Sequence, residues 1–394
     1  MMTPQNEAEL ADLVAAAAGP FRIVGGGTRP VGRPVEGDTL SAAKMSGIVD
    51  YEPGALTLVA RAGTPVEEIE AALAAEGQRL PFEPMDHRGL LGTSGIPTIG
   101  GVVAANVSGP RRMAVGAARD FLLGVRFVDG MGRRLKNGGR VMKNVTGYDL
   151  VKLAAGSYGT LGVLTEVSFK VLPVPETIAT LELSVADGAV AQVAMTRALT
   201  SPFEVSGAAV LPGEARLRVI LRLEGFAGSV AYRAEQLSAL LADLGTVSRI
   251  EDAAANAALW QGVRDVVALS GCDLVWRVSA TARDLRAGVL EPLQAKTNSL
   301  VQLDWAGALG WIGMTAAQAE ATGGAKAVHE RIQQMVADRA AVPGGGHATL
   351  IKGPDDLRAD VSVFQPEAPA VAALAQGVRA KFDPKGIFNP GLMG

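Results

Sequence analysis

The sequence predicts an α+β chain of two domains, with the first domain completed by the C-terminal end. Three observations carry that expectation. The chain has 394 residues, more than the roughly 250–300 at which a single hydrophobic core stops growing. Residues 1–175 alternate short helix and strand signals and end on Pro173 and Pro175. Beyond them the pattern changes to longer helices between strands, until a Gly-rich segment at Pro343 opens what reads as a return to the first domain. The expected division is therefore 1–175, 176–342 and 343–394.

Thr3 and Pro4 supply an N-cap and a first helical position, and Leu10, Leu13, Val14 and Ala17 share one face until Gly19 and Pro20 stop the helix. Phe21–Val24 is a strand running into Gly25, Gly26, Gly27 and Thr28, after which a Pro- and Gly-rich stretch excludes regular structure. Leu56–Ala60 is the next strand. Thr64 and Glu67 form a capping box with Pro65 at the first helical position, and Val66, Ile69 and Leu73 line a helix that Gly77 ends. From Gly89 to Gly116 the chain is rich in glycine and poor in charge, which suits backbone lying close against a flat ligand. Phe121–Asp129 and Arg133–Leu135 form a hairpin through Gly130, and Asp149–Ala155 a short helix stopped by Gly156. In the strand that follows, Val163, Thr165, Val167, Phe169 and Val171 alternate with a mostly polar set. In the second domain, strands are expected at Thr180–Val185, Ala208–Leu211, Arg216–Glu224, Leu274–Ser279 and Val301–Trp305, with helices at Val230–Leu244 and Asn256–Leu269. No fixed-period repeat is visible. Ala348–Lys352 is a last strand and Ala370–Lys381 a terminal helix.

Composition excludes several classes. With 37 basic and 40 acidic residues, a net charge of -3, there is no electrostatic footprint for nucleic acid or an anionic membrane. A 48% hydrophobic and 20% charged balance excludes whole-chain disorder. The single cysteine, Cys272, excludes an internal disulfide, a cysteine zinc site and a cysteine-ligated iron–sulfur cluster, and fits a reducing compartment. The N-terminus lacks a basic region and a long apolar run, and no stretch of 18 uncharged apolar residues occurs. A cytoplasmic protein is expected, reaching a membrane only through partner subunits.

The first chemical signal is RIVGGGTRP, where backbone N–H groups can converge on a phosphate oxygen or simply form a flexible turn. It is neither a dinucleotide fingerprint nor a Walker loop. The second is GTSGIPTIGGVVAANVSGPRR and the third VMKNVTGYDLVKLAAGSYGTLGVLTEVSFKVLP. In this order and spacing, with the ending FDPKGIFNPG, they resemble the FAD-binding domain of vanillyl-alcohol-oxidase and p-cresol-methylhydroxylase (PCMH) type flavoproteins. The third block is most similar to the smaller flavin subunit of bacterial glycolate oxidase. The resemblance spans residues 1 to about 175 and the last 50 or so. It implies a two-subdomain PCMH-type FAD-binding domain with a second, ferredoxin-like α/β cap domain.

The resemblance also assigns residues. It places the FAD pyrophosphate on Gly25, Gly26, Gly27 and Thr28, and the ribityl and isoalloxazine portions beside Pro97, Thr98, Gly100, Gly101, Ala104, Asn106 and Gly109. Gly156, Gly159, Thr160, Gly162 and Val163 fall on the adenine and pyrophosphate side, and Asn389 near the flavin ring. For each glycine a tight turn is the alternative reading. Many relatives attach FAD through a histidine where this chain has Thr28, so the flavin is expected to be noncovalent.

The 2-hydroxy-acid dehydrogenases of the superfamily use paired histidines and a metal on their substrate, whereas His87, His329 and His347 form no such pair here and no metal is expected. His347, after a glycine run, is the candidate base, with a strand-end or interface histidine as the alternative. His329 is expected on a solvated helix face and His87 in a loop. Arg111 and Arg112 offer a guanidinium to a substrate carboxylate, to a flavin phosphate or to an interdomain ion pair. Tyr148 and Asp149 are expected to pack against and cap the short helix, and Trp260, Trp276, Trp305 and Trp311 to fill the second domain's core.

The resemblance thus implies an FAD-binding subunit of a glycolate oxidase complex, turning glycolate into glyoxylate and passing electrons to an iron–sulfur partner beside a larger flavoprotein subunit. Two alternatives stand beside it: a noncatalytic FAD relay or structural subunit of that complex, and a self-sufficient dehydrogenase of another small 2-hydroxy acid.

Overall fold

In the computed structural model, which describes residues 1–140, 147–213, 216–339 and 345–394, the first helix runs Glu7–Ala15 and turns Leu10 and Val14 inward. Asn6 caps it rather than Thr3, its side-chain oxygen accepting the N–H groups of Ala8 and Glu9. β1 (Phe21–Val24) and β2 (Asp38–Ser41) pair in parallel across the irregular Pro- and Gly-rich stretch. β3 (Ile48–Glu52) and β4 (Thr57–Arg61) lead to the helix Val66–Ala75. Thr64 makes no cap there. Its hydroxyl donates to Arg61 O at 2.7 Å and accepts Gly47 N–H at 2.9 Å, tying the start of the helix to a neighbouring loop.

β5 (Gln78–Arg79) is followed by β6 (Leu122–Val128), β7 (Arg134–Gly138), β8 (Val163–Lys170) and β9 (Leu172–Pro173). Strands β3, β4, β6, β7 and β8 build an antiparallel sheet in the order β3-β4-β8-β6-β7. The alternation that predicts β8 is realised, with Val167 and Phe169 fully buried, but Leu164 and Ser168 on its other face are buried too because the strand is central. Residues 141–146 of the third sequence block lie outside the described residues.

The second domain holds β10 (Thr177–Val185), β11 (Gly207–Leu211), β12 (Leu217–Gly225), β13 (Thr246–Ile250), β14 (Leu274–Ser279), β15 (Leu300–Asp304), β16 (Leu309–Met314) and β17 (His347–Lys352). They form one antiparallel sheet in the order β13-β10-β12-β11-β15-β16-β14-β17. Helices Gly188–Leu199 and Ala227–Leu241 complete a βαββαβ unit over β10–β13, and the helical stretch from Ala282 to Gln294 with helix Ala325–Arg339 completes another over β14–β17. Each unit has the ferredoxin-like arrangement, and the two join edge to edge through β11 and β15. This is a repeat of topology without a repeat of sequence, which is why no period is readable along the chain.

The expectation that 343–394 returns to the first domain as one segment splits here. β17 pairs with β14 and is the edge strand of the cap sheet, because the second unit needs its fourth strand. The tail after helix Pro369–Phe382 does return: Phe388 bridges Phe21, and Asn389 N–H donates to Phe21 O at 3.0 Å.

A buried ion-pair network joins the domains. Glu83 of the first domain takes Arg222 of β12 in a bidentate pair at 2.9 and 3.1 Å and Arg111 at 2.6 Å. Glu224 of β12 takes Arg111 at 2.6 Å and Arg79 at 2.9 Å. Burial works against the Glu83 and Glu224 charges, yet the surrounding guanidiniums outweigh it and hold both carboxyls below their ordinary range. Arg111 is therefore an interdomain clamp, one of its sequence alternatives, and is spoken for before any ligand arrives.

Candidate active site

The strand-to-loop turn after β1, the loop before helix Ile99–Ala104 and the turn before β8 meet at a cleft of about 730 Å³. It is lined by Gly25, Gly26, Gly27 and Thr28, by Thr98, Gly100, Gly101 and Ala104, by Gly159, Gly162 and Val163, and by Asn389 from the tail. The chain closes this tightly because side chains are missing where loops cross. A Cβ on Gly26 would stand 1.6 Å from Ile96 O, one on Gly95 1.8 Å from Gly26 O, and one on Gly100 2.7 Å from Ala62. The space freed at Gly26 is thus filled by the second loop rather than by a ligand. Gly27 is different, with a φ of +72° and nothing within 4 Å of its Cβ position. Asn389 staples the assembly: its Oδ1 accepts Ile23 N–H at 2.7 Å and its Nδ2 donates to Tyr158 O at 2.8 Å.

The remaining sequence-assigned positions shape the cleft from behind without lining it. Pro97 O accepts Val66 N–H, and Asn106 Oδ1 accepts Arg119 N–H at 3.0 Å. Gly156 donates to Val103 O from a φ of +85°, and the Thr160 hydroxyl donates to Ser157 O at 2.7 Å. Gly109 packs against Glu83 at the domain boundary.

The donor set fits FAD. The lining carries Arg22, Arg29, Arg33 and Arg358 against one carboxylate, Asp355, an electropositive trough for a pyrophosphate. Among the described residues neither histidine nor cysteine lines it.

Tyr158, on the cleft wall, interacts electrostatically with Arg29 and with Arg277 of the cap sheet. Arg29 donates to Gly101 O at 2.8 Å and from Nε to His87 Nδ1 at 3.3 Å. Burial, with Arg29 alongside, holds His87 well below its ordinary pKa and therefore neutral. Arg277 of β14 reaches across from the cap, its guanidinium carbon 5.1 Å from the Trp305 ring centre and 6.0 Å from that of Trp311. Arg112 lies 4.5 Å from Trp305. Burial lowers Arg29 and Arg277 to about 10, which leaves both cationic at neutral pH, and raises the Tyr158 hydroxyl. Among the described residues neither Arg29, Arg112 nor Arg277 has a carboxylate ion-pair partner. Sequence reasoning missed Arg29 and Arg277, although a lone arginine in the apolar strand LVWRVS was the available signal.

The other expected residues fall elsewhere. His347 begins β17 on the sheet edge, exposed and opposite Ser279, and does not line the cleft. His329 is fully buried, not solvated: its Nδ1 accepts Trp276 Nε1–H at 3.1 Å and its Nε2 faces Ser362 O at 2.9 Å. Asp149 caps its helix through Lys152 N–H, while Tyr148 is exposed rather than packed. Trp276 is core, Trp260 and Trp311 are buried, and Trp305 sits at the domain boundary. Among the described residues no three His, Cys, Asp or Glu side chains group as a metal site, and no helix is long and apolar enough to cross a membrane.

Comparison with known proteins agrees with this geometry. The family model for the FAD binding domain matches residues 1–138. Glycolate oxidase subunit GlcE of Escherichia coli K12 is 37% identical over 373 residues, 92% of this chain and 89% of that protein. Glycolate oxidase subunit GlcD of Bacillus subtilis 168 is 32% identical over 187 residues, 46% of this chain and 38% of that protein. Among solved structures, substrate-bound p-cresol methylhydroxylase superposes with a TM-score of 0.72 at 14% identity, over all of this chain and 88% of that one. At that identity the likeness shows the fold, which is PCMH-type.

Proposed function

The chain belongs to the glycolate oxidase subunit GlcE family of FAD-linked oxidoreductases, and from that premise we propose that it oxidises a small 2-hydroxy acid, glycolate to glyoxylate, as one subunit of a glycolate oxidase complex. When bound, FAD supplies the two-electron oxidant. The observation that carries the reading is Arg277. The cap sheet holds it within electrostatic reach of Tyr158, a residue of the cofactor cleft, cationic and without a carboxylate ion pair among the described residues. A small carboxylate supplies the missing charge, and the indoles of Trp305 and Trp311 hold the guanidinium in place.

Electrons must then leave. These 394 residues contain one cysteine, so a cysteine-ligated cluster belongs to another subunit, and an iron–sulfur partner together with a larger flavoprotein subunit is the expected company. Thr28, standing where many relatives carry the attaching histidine, and a lining without histidine or cysteine among the described residues support noncovalent FAD binding.

The test is a pair of substitutions in the FAD-loaded protein. Arg277→Met is expected to weaken glycolate binding about 10- to 100-fold, the worth of a charge-assisted hydrogen bond of about 1.5–3 kcal/mol, with flavin content unchanged. His347→Ala, out on the sheet edge, is expected to leave both binding and turnover at the parental level. Undiminished glycolate affinity in the Arg277 variant, read by titrating the flavin absorbance, would remove the basis for the proposed substrate class.

A further inference from the structure

The wall of the cofactor cleft is held from the cap as well as from the first domain. After β1 the chain runs from Gly25 to Gly32 without regular structure, and side chains from elsewhere fix its carbonyls. Ser41 Oγ donates to Gly25 O at 3.2 Å and Thr93 Oγ1 to Thr28 O at 3.0 Å, both from within the first domain. Further along, Arg358 Nη1 donates to Pro30 O at 2.5 Å and to Gly32 O at 3.0 Å. The N–H groups of Gly26, Gly27, Thr28 and Arg29 meet no protein acceptor among the described residues. A loop whose carbonyls are tied while successive N–H groups stay free is already arranged for an anion.

Arg358 belongs to the cap rather than to the loop it holds. It sits on the short helix Asp355–Asp360, which follows β17. Leu357 packs against the cap core, Val361 and Val363 are part of that core, and Val363 O accepts Leu350 N–H of β17 at 2.9 Å. From this mounting the Arg358 side chain crosses to the first domain and is buried there. Both of its terminal nitrogens are engaged, Nη1 with the two carbonyls and Nη2 with Asp355 Oδ1 at 2.5 Å. Arg33 returns the contact by donating to Ala359 O, and its N–H reaches Leu392 O of the tail at 3.0 Å. Asp355, Arg358 and Leu392 all line the cleft, so this junction of cap, loop and tail is part of the cofactor's wall.

We propose that Arg358 is a positioning residue for the cofactor loop, through which the cap sets how tightly FAD is kept. The inference rests on FAD as the cofactor and holds whichever acid is oxidised. A planar fork serves two carbonyls and a carboxylate at once, which a single ammonium does not. Its charge strengthens both carbonyl bonds. Without it the Pro30 and Gly32 carbonyls lose their donor, the loop is free to leave its arrangement, and FAD must reorder it on binding. The coupling runs both ways: FAD on the ordered loop holds the helix Asp355–Asp360 against the first domain.

Two substitutions separate geometry from charge, with FAD affinity read by flavin fluorescence titration beside the unfolding midpoint of each apoprotein. Arg358→Met keeps the bulk of the side chain and no donor, and is expected to weaken FAD about 10- to 100-fold and to speed its release. Arg358→Lys keeps the cation but loses the fork, and is expected to weaken FAD about fivefold or more. Should Arg358→Met not fold, Arg358→Lys decides. Lys326→Ala is the control: it removes the exposed Lys326–Asp360 ion pair from the end of the same helix and is expected to keep parental affinity. In the parent, FAD is expected to slow amide hydrogen exchange across Asp355–Asp360, and in Arg358→Met to lose that effect. Parental affinity in Arg358→Lys would mean that charge alone matters, and parental affinity in both variants with only the apoprotein midpoint lowered would mean that Arg358 merely packs; either result overturns the assignment. So does a control that loses as much affinity as Arg358→Met, since retention would then follow any loosening of the helix. A parent that binds no FAD overturns the cofactor reading as well.

Discussion

Gly26→Val is expected to yield a chain that binds no FAD and melts well below the parent. The Cβ position at Gly26 lies 1.6 Å from Ile96 O and 2.6 Å from its carbonyl carbon, and both obstacles are backbone. No rotamer relieves such an overlap, so the first two loops must part, and with them go the walls of the cleft. Overpacking of this kind costs about 1–3 kcal/mol in a core that can adjust and more where backbone meets backbone. Gly27→Ala is the control. Its Cβ meets nothing, and only the positive φ is strained, about 1–2 kcal/mol, so most of the flavin should stay. The readout is flavin absorbance per mole of protein beside thermal unfolding. Full flavin content in Gly26→Val would mean that the loops do not cross as described.

Removing Glu83 is the second large perturbation. Glu83→Ala takes away the bidentate partner of Arg222, 1% exposed, and leaves Arg79, Arg111 and Arg222 to share Glu224 alone. A surplus of buried positive charge of this kind destabilises by up to about 3–5 kcal/mol, and the cap is the part that loosens, since the network joins β12 to the first domain. Glu83→Gln keeps hydrogen-bonding capacity and is expected to lose less. The sign of the pH dependence follows from the depressed carboxyls: the stability that Glu83 and Glu224 contribute is fully present above their unfolded-state pKa of about 4.3 and is lost as pH falls through their folded-state values. Denaturant unfolding at neutral and acid pH measures both effects. Equal stability of parent and Glu83→Ala would show that the network does not hold the domains.

Much of the framework is legible in the sequence for local reasons. β8 announces itself by alternation and β14 by an apolar run, and the loop between β1 and β2 by its prolines and glycines. The errors lie where a partner distant in sequence decides. Thr64 has the form of a cap, but Gly47 and Arg61 claim its hydroxyl. His329 sits among Glu330 and Arg331, yet Val328, Ile332 and Val336 at helical spacing mark its side of the helix as buried. Helix Gly188–Leu199 goes unread because its inward face is chiefly alanine. At the site, the glycine loops are legible because close backbone approach demands glycine, and twelve of the seventeen assigned residues line the cleft. Arg277 is marked in the sequence only as the lone charge in LVWRVS, and that no carboxylate ion-pairs with it among the described residues is visible only in three dimensions.

An FAD-loaded cleft under this cap that oxidises a small 2-hydroxy acid must show it in the flavin itself. The most direct measurement is the visible spectrum of the purified protein, with its partner subunits, before and after anaerobic glycolate, followed by acid precipitation. The expected result is an oxidised flavin band that glycolate bleaches and a flavin that is released into the supernatant. A protein with no flavin, a flavin that stays with the precipitate, or a band that glycolate leaves untouched would contradict it.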